Sequence, residues 1–256
     1  MATEQGQFCW YELMTTDAAA ASDFYCTVIG WTAETAGPPG LDYKRLMMDG
    51  APMCGLMRLP ESLRAPGWRP SWIGHVAVDD VDAMVVRVRD AAGAIHREPT
   101  DIPGLGRFAV VADPQGAVFV LFQGLADRPL VSPAPEALGS VGWRELYATD
   151  WQAAFAFYEG LFGWTKGDAI DMGPMGTYQL FCTGAQPVGG LMNKVGSMPV
   201  PFWSFYFTVD DIKSATARVI AHGGTILRGP NEVPGGSWIV NCFDPQGAMF
   251  CLTAAR

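Results

Sequence analysis

Asp113-Pro114-Gln115-Gly116 returns as Asp244-Pro245-Gln246-Gly247, and that recurrence decides the fold. Each tetrapeptide is a turn between two apolar runs, Phe108 to Ala112 and Val118 to Phe122 in the first case. Working outward, Val78-Asp79-Asp80 pairs with Val209-Asp210-Asp211, and Gly55-Leu56-Met57 with Gly190-Leu191-Met192. Gly30-Trp31 pairs with Gly163-Trp164, Phe24-Tyr25 with Phe157-Tyr158, and Trp10-Tyr11-Glu12-Leu13 with Trp143-Arg144-Glu145-Leu146. Six matches kept in order, with only small drifts in offset, read as a tandem duplication with loop insertions. The expected boundaries are 1–124 for copy one, 125–140 for a linker and 141–256 for copy two. Three prolines, Pro129, Pro133 and Pro135, stiffen that linker.

Each copy alternates strand and helix patterns. In copy one, Phe8 to Met14 predicts a strand. Thr16-Asp17 predicts the cap of a helix running to about Val28, with Gly30 as its stop. Tyr43 to Met48 and Ala51 to Met57 predict a hairpin turning at Asp49-Gly50. The pattern then restarts. Trp72 to Val78 is a strand, Asp79-Asp80 open a helix ending at Gly93, and Ile95 to Arg97 begins three further strands. The chain is therefore α+β, four βαβββ units forming two cupped mixed sheets with helices outside.

Composition narrows the function. Acidic residues number 26 against 17 Lys and Arg, a net charge of −9, and they are scattered rather than run together. Such a surface repels phosphate backbones and anionic lipid, which argues against nucleic acid and membrane partners. No stretch approaches the ~20 apolar residues of a membrane span, and Met1 to Gln7 lacks the basic and apolar regions of a signal peptide. The six cysteines contain no CxxC pair and several lie in apolar runs, which predicts buried reduced thiols in a cytoplasmic protein. Three histidines, His75, His96 and His222, exclude most histidine chemistry by count. No phosphate loop, dinucleotide fingerprint or nucleophile triad is present.

Asp23-Phe24-Tyr25 followed by Gly30-Trp31, Gly74-His75-Val76-Ala77-Val78-Asp79-Asp80 and Asp113-Pro114-Gln115-Gly116 resemble landmarks of the glyoxalase/bleomycin-resistance/dioxygenase (vicinal oxygen chelate) superfamily. The tandem arrangement resembles its two-domain glyoxalase-like group, which includes the mycobacterial 27 kDa antigen. The resemblance implies one cupped sheet per copy, and copies that pair as pseudo-dimeric halves of a monomer or form a weak homodimer. In metal-using members it also implies two His and two Glu on the first and last strands of the two units in a cup. Those positions fall here on Trp10 and Trp143, on His75 and Tyr206, and on Val120 and Cys251. One expected ligand in copy one, and at most a cysteine in copy two, leaves too few donors for a divalent ion. The expectation is a degenerate metal site and no cofactor.

What remains suits a metal-independent binder of an apolar or aromatic molecule, of the drug-sequestering or resistance kind. Strand alternation puts Glu12 on the face of Trp10, and Glu145 on that of Trp143. The candidate ligand-binding residues are Trp10, Trp143, Glu145, Tyr206, Arg107 and Trp238. The last two border glycine-rich loops, Pro103 to Gly106 and Pro234 to Ser237. Trp72 and Trp203 read as core. Glu12 and Glu145 read either as desolvated acids or as ion-paired or rim residues, and His75 either as a pocket group or as a core histidine. If the protein is an enzyme, Glu12 and His75 are the catalytic pair of an isomerase, lyase, cyclase or glyoxalase-like activity. A non-catalytic interaction scaffold is the third reading.

Overall fold

A computed structural model describes residues 5–37, 40–64, 67–125, 133–196 and 198–255. The expected linker thus lies in part, at 126–132, outside the described residues. Four βαβββ units follow one another. The first is β1 (Phe8–Thr15), α1 (Ala18–Ile29), β2 (Thr32–Ala36), β3 (Tyr43–Met48) and β4 (Ala51–Arg58). The second is β5 (Ser71–Ala77), α2 (Val81–Asp90), β6 (Ala94–Ile102), β7 (Gly106–Ala112) and β8 (Val118–Gly124). The third is β9 (Val141–Ala148), α3 (Trp151–Phe162), β10 (Thr165–Asp171), β11 (Thr177–Cys182) and β12 (Pro187–Asn193). The fourth is β13 (Phe202–Thr208), α4 (Ile212–Ala221), β14 (Thr225–Glu232), β15 (Trp238–Phe243) and β16 (Met249–Ala254).

They build two mixed sheets of eight strands, ordered β2-β3-β4-β1-β5-β8-β7-β6 and β10-β11-β12-β9-β13-β16-β15-β14. Within a unit the first strand runs parallel to the last, as β1 does to β4 and β5 to β8, and the remaining ladders are antiparallel. The helix is the crossover that this parallel return needs.

Local chemistry explains each helix. Asp17 accepts hydrogen bonds from the Ala19 and Ala20 amides, and Asp150 does the same for Gln152 and Ala153. Gly30 and Gly163 close these two helices at φ 95° and 72°, in the left-handed region that glycine enters without a Cβ clash. Asp80 and Asp211 cap α2 and α4. Helix α2 ends at Asp90, short of the expected Gly93, and Ala92 takes the left-handed conformation (φ 61°).

Contacts divide the chain into two compact units. One holds the described residues of Met1–Cys9, Ile73–Val131 and Arg144–Trp203; the other holds Trp10–Trp72, Ser132–Trp143 and Ser204–Arg256. Each thus combines one βαβββ repeat from each copy. In the first unit Trp164 stacks between Tyr158 and Phe181, with ring centres 5.0 and 4.5 Å away, and Trp203 meets these rings edge-on. In the second unit Tyr25, Trp31, Trp72, Phe207 and Phe250 form the matching cluster. Trp72 and Trp203 are core residues, as expected, each 6% exposed. The six cysteines are thiols, five of them buried. No helix among the described residues is long and apolar enough to cross a membrane.

Candidate functional site

Strand β1 alternates: Cys9, Tyr11, Leu13 and Thr15 are buried, while Trp10, Glu12 and Met14 are partly open. Leu46 of β3 and Cys54 and Leu56 of β4 are buried where α1 packs on those strands. The other face carries the candidate groups. In register across it, Glu12 stands beside Gly55 and Gly55 beside Arg45, while Met14 stands beside Met57 and Met57 beside Tyr43. Met47 and Met53, both nearly buried, share this face.

Three side chains on it are linked. The Tyr43 hydroxyl lies over Gly55 close to Glu12 Oε2; it lowers the Glu12 pKa, and the Trp10 indole lowers that of Tyr43. Gly55 makes the arrangement possible: a Cβ there would sit 2.2 Å from the Tyr43 hydroxyl oxygen and 3.0 Å from Glu12 Oε2. The missing side chain lets the tyrosine ring pass over the strand. Desolvation pushes the Glu12 carboxyl up to about 7, and the bond from Tyr43 holds it back from rising further. Burial, with the Glu12 charge next, drives the Tyr43 phenol well above its ordinary range. A carboxyl poised near neutrality can take or give a proton.

Copy two repeats part of this set. Glu145 is buried and stands in register with Gly190. A Cβ at Gly190 would meet the Tyr178 ring at 2.3 Å. Trp143 is half-buried on β9. Tyr43 and Tyr178 escaped the sequence reading, although they hold the same place in the repeat as Gly55 and Gly190. Arg45 escaped it too, because nothing in the sequence marks which face of β3 it occupies.

The other expected residues lie elsewhere. His75 belongs to the first compact unit, whereas Glu12 belongs to the second. It is 8% exposed and stands in register with Val120; its ring centre is 6.2 Å from that of Phe122. Its Nε2 has no hydrogen-bond partner, and burial lowers its pKa to about 3, so the imidazole is neutral at working pH. Tyr206 lies in a buried polar cluster of the second unit. Asn241 Nδ2 reaches its hydroxyl at 3.4 Å and Cys251 Sγ at 2.9 Å, and Ser204 Oγ is 3.2 Å from the same sulfur. Arg107, expected to line a closing loop, is engaged in ion pairs instead. It makes two bonds to Asp82 (2.7 and 3.0 Å) and one to Asp101 (2.7 Å). Trp238 opens β15 opposite Ala254 and is half-buried.

The donors do not fit a divalent ion. Trp10 and Trp143 carry indoles, which are not metal donors, Val120 stands beside His75, and Cys251 contacts Ser204 and Asn241. No three His, Cys, Asp or Glu come together among the described residues.

Comparison with known proteins agrees with this architecture. The sequence model described as "Glyoxalase/Bleomycin resistance protein/Dioxygenase superfamily" matches residues 7–121 and again 140–252. The chain is similar to CFP32 of Mycobacterium tuberculosis, 34% identical over 97% of this chain and 94% of that one. It is similar to the anthracycline biosynthesis protein DnrV of Streptomyces peucetius, 32% identical over 98% of this chain and 94% of that one. Its fold resembles that of a Mn(II)-bound glyoxalase from Novosphingobium aromaticivorans, with a TM-score of 0.68, 18% identity, and 98% and 82% of the two chains covered.

Proposed function

The chain belongs to the glyoxalase/bleomycin resistance protein/dioxygenase superfamily, and from that premise we propose that it binds a flat, apolar or aromatic small molecule without a metal ion. The observation that carries this reading is the face of β1, β3 and β4. Trp10 and Met57, both partly open, supply an aromatic and polarisable surface backed by the buried Met47 and Met53, and one acid, Glu12, stands among them. Such a surface gains from ring contact, while a few polar groups fix orientation. The likeness to a protein named for anthracycline biosynthesis, and so for a fused-ring aromatic product, supports the same ligand class. Sequestration of such a molecule, or resistance to it, in the cytoplasm is the role that follows.

The test is a thermal-shift titration of chelator-treated protein with an anthracycline aglycone. Stabilisation that saturates with ligand is expected, since a ligand binding only the folded state stabilises it by mass action. Binding that appears only when a divalent ion is restored would defeat the metal-free reading. The absence of any shift would favour an interaction scaffold.

A second reading, an enzyme, is favoured by one observation: a carboxyl near neutral pKa that accepts from a tyrosine. Turnover of a bound aromatic substrate that disappears in Glu12→Gln, with ligand affinity retained, would select it over simple binding.

A further inference from the structure

We infer that Arg45 is the polar anchor of this face, and that the ligand carries a ring-borne oxygen acceptor, either a quinone-type carbonyl or a phenolate. The inference rests on the small-molecule reading above and names the ligand's chemistry.

The residues Glu34, Arg45, Gly55 and Glu12 form one row across β2, β3, β4 and β1. Their alternation places Arg45 on the same face as Glu12, with Gly55, and the Tyr43 hydroxyl that lies over it, between them. Two strand spacings separate the residues, roughly 10 Å. Arg45 Nη2 donates to Glu34 Oε2 at 3.2 Å, and the side chain is 42% exposed. Nε, on the same edge of the guanidinium as Nη2, is buried and has no hydrogen-bond partner. A buried charged donor left without an acceptor is costly, and an acceptor oxygen supplied by a ligand removes that cost. Glu34 both orients the group and offsets its charge, which suits a neutral carbonyl or a phenolate better than a multiply charged anion.

The repeat sharpens the point. Leu180 takes the place of Arg45 in copy two, judged by the alignment that pairs Tyr43 with Tyr178 and Gly55 with Gly190. Only copy one therefore presents this anchor beside the Tyr–Glu pair.

The experiment uses quenching of tryptophan fluorescence in the full-length protein by two probes, 1,8-dihydroxyanthraquinone and the oxygen-free anthracene. The wild type is expected to bind the hydroxyquinone roughly tenfold or more tightly than anthracene, the effect of one hydrogen bond to a charged donor. Arg45→Met is expected to bring the ratio near one while leaving anthracene affinity in place. Arg45→Lys keeps the charge and stem but lacks the Nε–H, and is expected to lose the preference too. Glu34→Gln is expected to retain it, because the donor survives. An unchanged ratio in Arg45→Met and Arg45→Lys would overturn the anchor alone, with the binding reading intact. Loss of the preference in Glu34→Gln would assign it to net charge and overturn the anchor as well. Failure of the wild type to bind either probe would overturn both.

Discussion

The Tyr158 hydroxyl donates to Asp113 Oδ2 across 3.2 Å, joining two landmarks that lie far apart in the sequence. Asp113 does two jobs. Its Oδ1 accepts the amides of Gln115 and Ala117 and so closes the turn before β8. Its Oδ2 holds the tyrosine, which itself accepts from Trp203 Nε1 at 3.0 Å. The second unit repeats the chain of bonds with Trp72, Tyr25 and Asp244 at 2.9 and 3.1 Å. In each unit the Phe-Tyr and Asp-Pro-Gln-Gly motifs are therefore successive links of one buried hydrogen-bonded chain that begins at a tryptophan.

Tyr158→Phe keeps the ring and its stacking but strands a buried carboxylate oxygen and a buried indole N–H. The expected cost is about 2–3 kcal/mol, since each orphaned buried group carries its own desolvation penalty. Tyr25→Phe is expected to cost a similar amount. Urea unfolding monitored by fluorescence measures both, and a loss under about 0.5 kcal/mol would mean that the bonds are not stabilising.

Glu12 gives a stability profile with a definite sign. Its carboxyl is raised to about 7 in the fold, against about 4.3 in the unfolded chain. Between those values the folded state binds more protons than the unfolded one. Its contribution is thus complete below about pH 4 and is lost as pH rises through about 7. Wild type is expected to lose stability relative to Glu12→Gln between about pH 5 and pH 8, by on the order of 3 kcal/mol at most. Parallel urea curves for the two proteins at both pH values would refute this.

Gly55→Ala tests the cradle. The new methyl collides with the Tyr43 hydroxyl and crowds Glu12 Oε2. The ring must swing away from Glu12. Because the Tyr43 hydroxyl lowers the Glu12 pKa, its removal is expected to push the carboxyl above 7 and move the midpoint of the stability profile to higher pH. Tyr43→Phe is expected to move it the same way without adding bulk. A midpoint unchanged in both variants would show that the tyrosine does not touch the acid.

The repeat and the four units were legible because cap aspartates, stop glycines and turn tetrapeptides are local signals. Strand Thr32–Ala36 left no trace, being exposed almost throughout at the edge of its sheet, where neither alternation nor burial selects apolar residues. In the candidate site, Trp10 and Glu12 were legible from the period of one strand. Tyr43 and Arg45 were not, because their meaning comes from which strand lies beside which, and from a glycine whose value is the space it leaves. Arg107 illustrates the converse. A glycine-rich loop suggested a ligand, but Asp82 and Asp101 are nearer partners that only the folded arrangement brings to it.

Metal supply offers a last measurement. An ion that saturates a site at a hundred times its Kd stabilises by about 2.7 kcal/mol, enough to raise the melting temperature of a chain this size by roughly 5–10 °C. With His75 beside Val120 and an indole at Trp10, no such gain is expected from zinc, nickel or manganese added to chelator-treated protein. The orphaned His75 Nε2 alone would hold an ion too weakly to register. Val120→Glu is the informative variant, because it sets a carboxylate in register with the imidazole. Two donors still fall short of the three or four that a divalent ion needs, so it too is expected to show no stoichiometric metal by elemental analysis. A melting-temperature rise of that size in the unmodified protein, with one ion per chain, would mean that donors from elsewhere in the chain complete a site and that the metal-free reading is wrong.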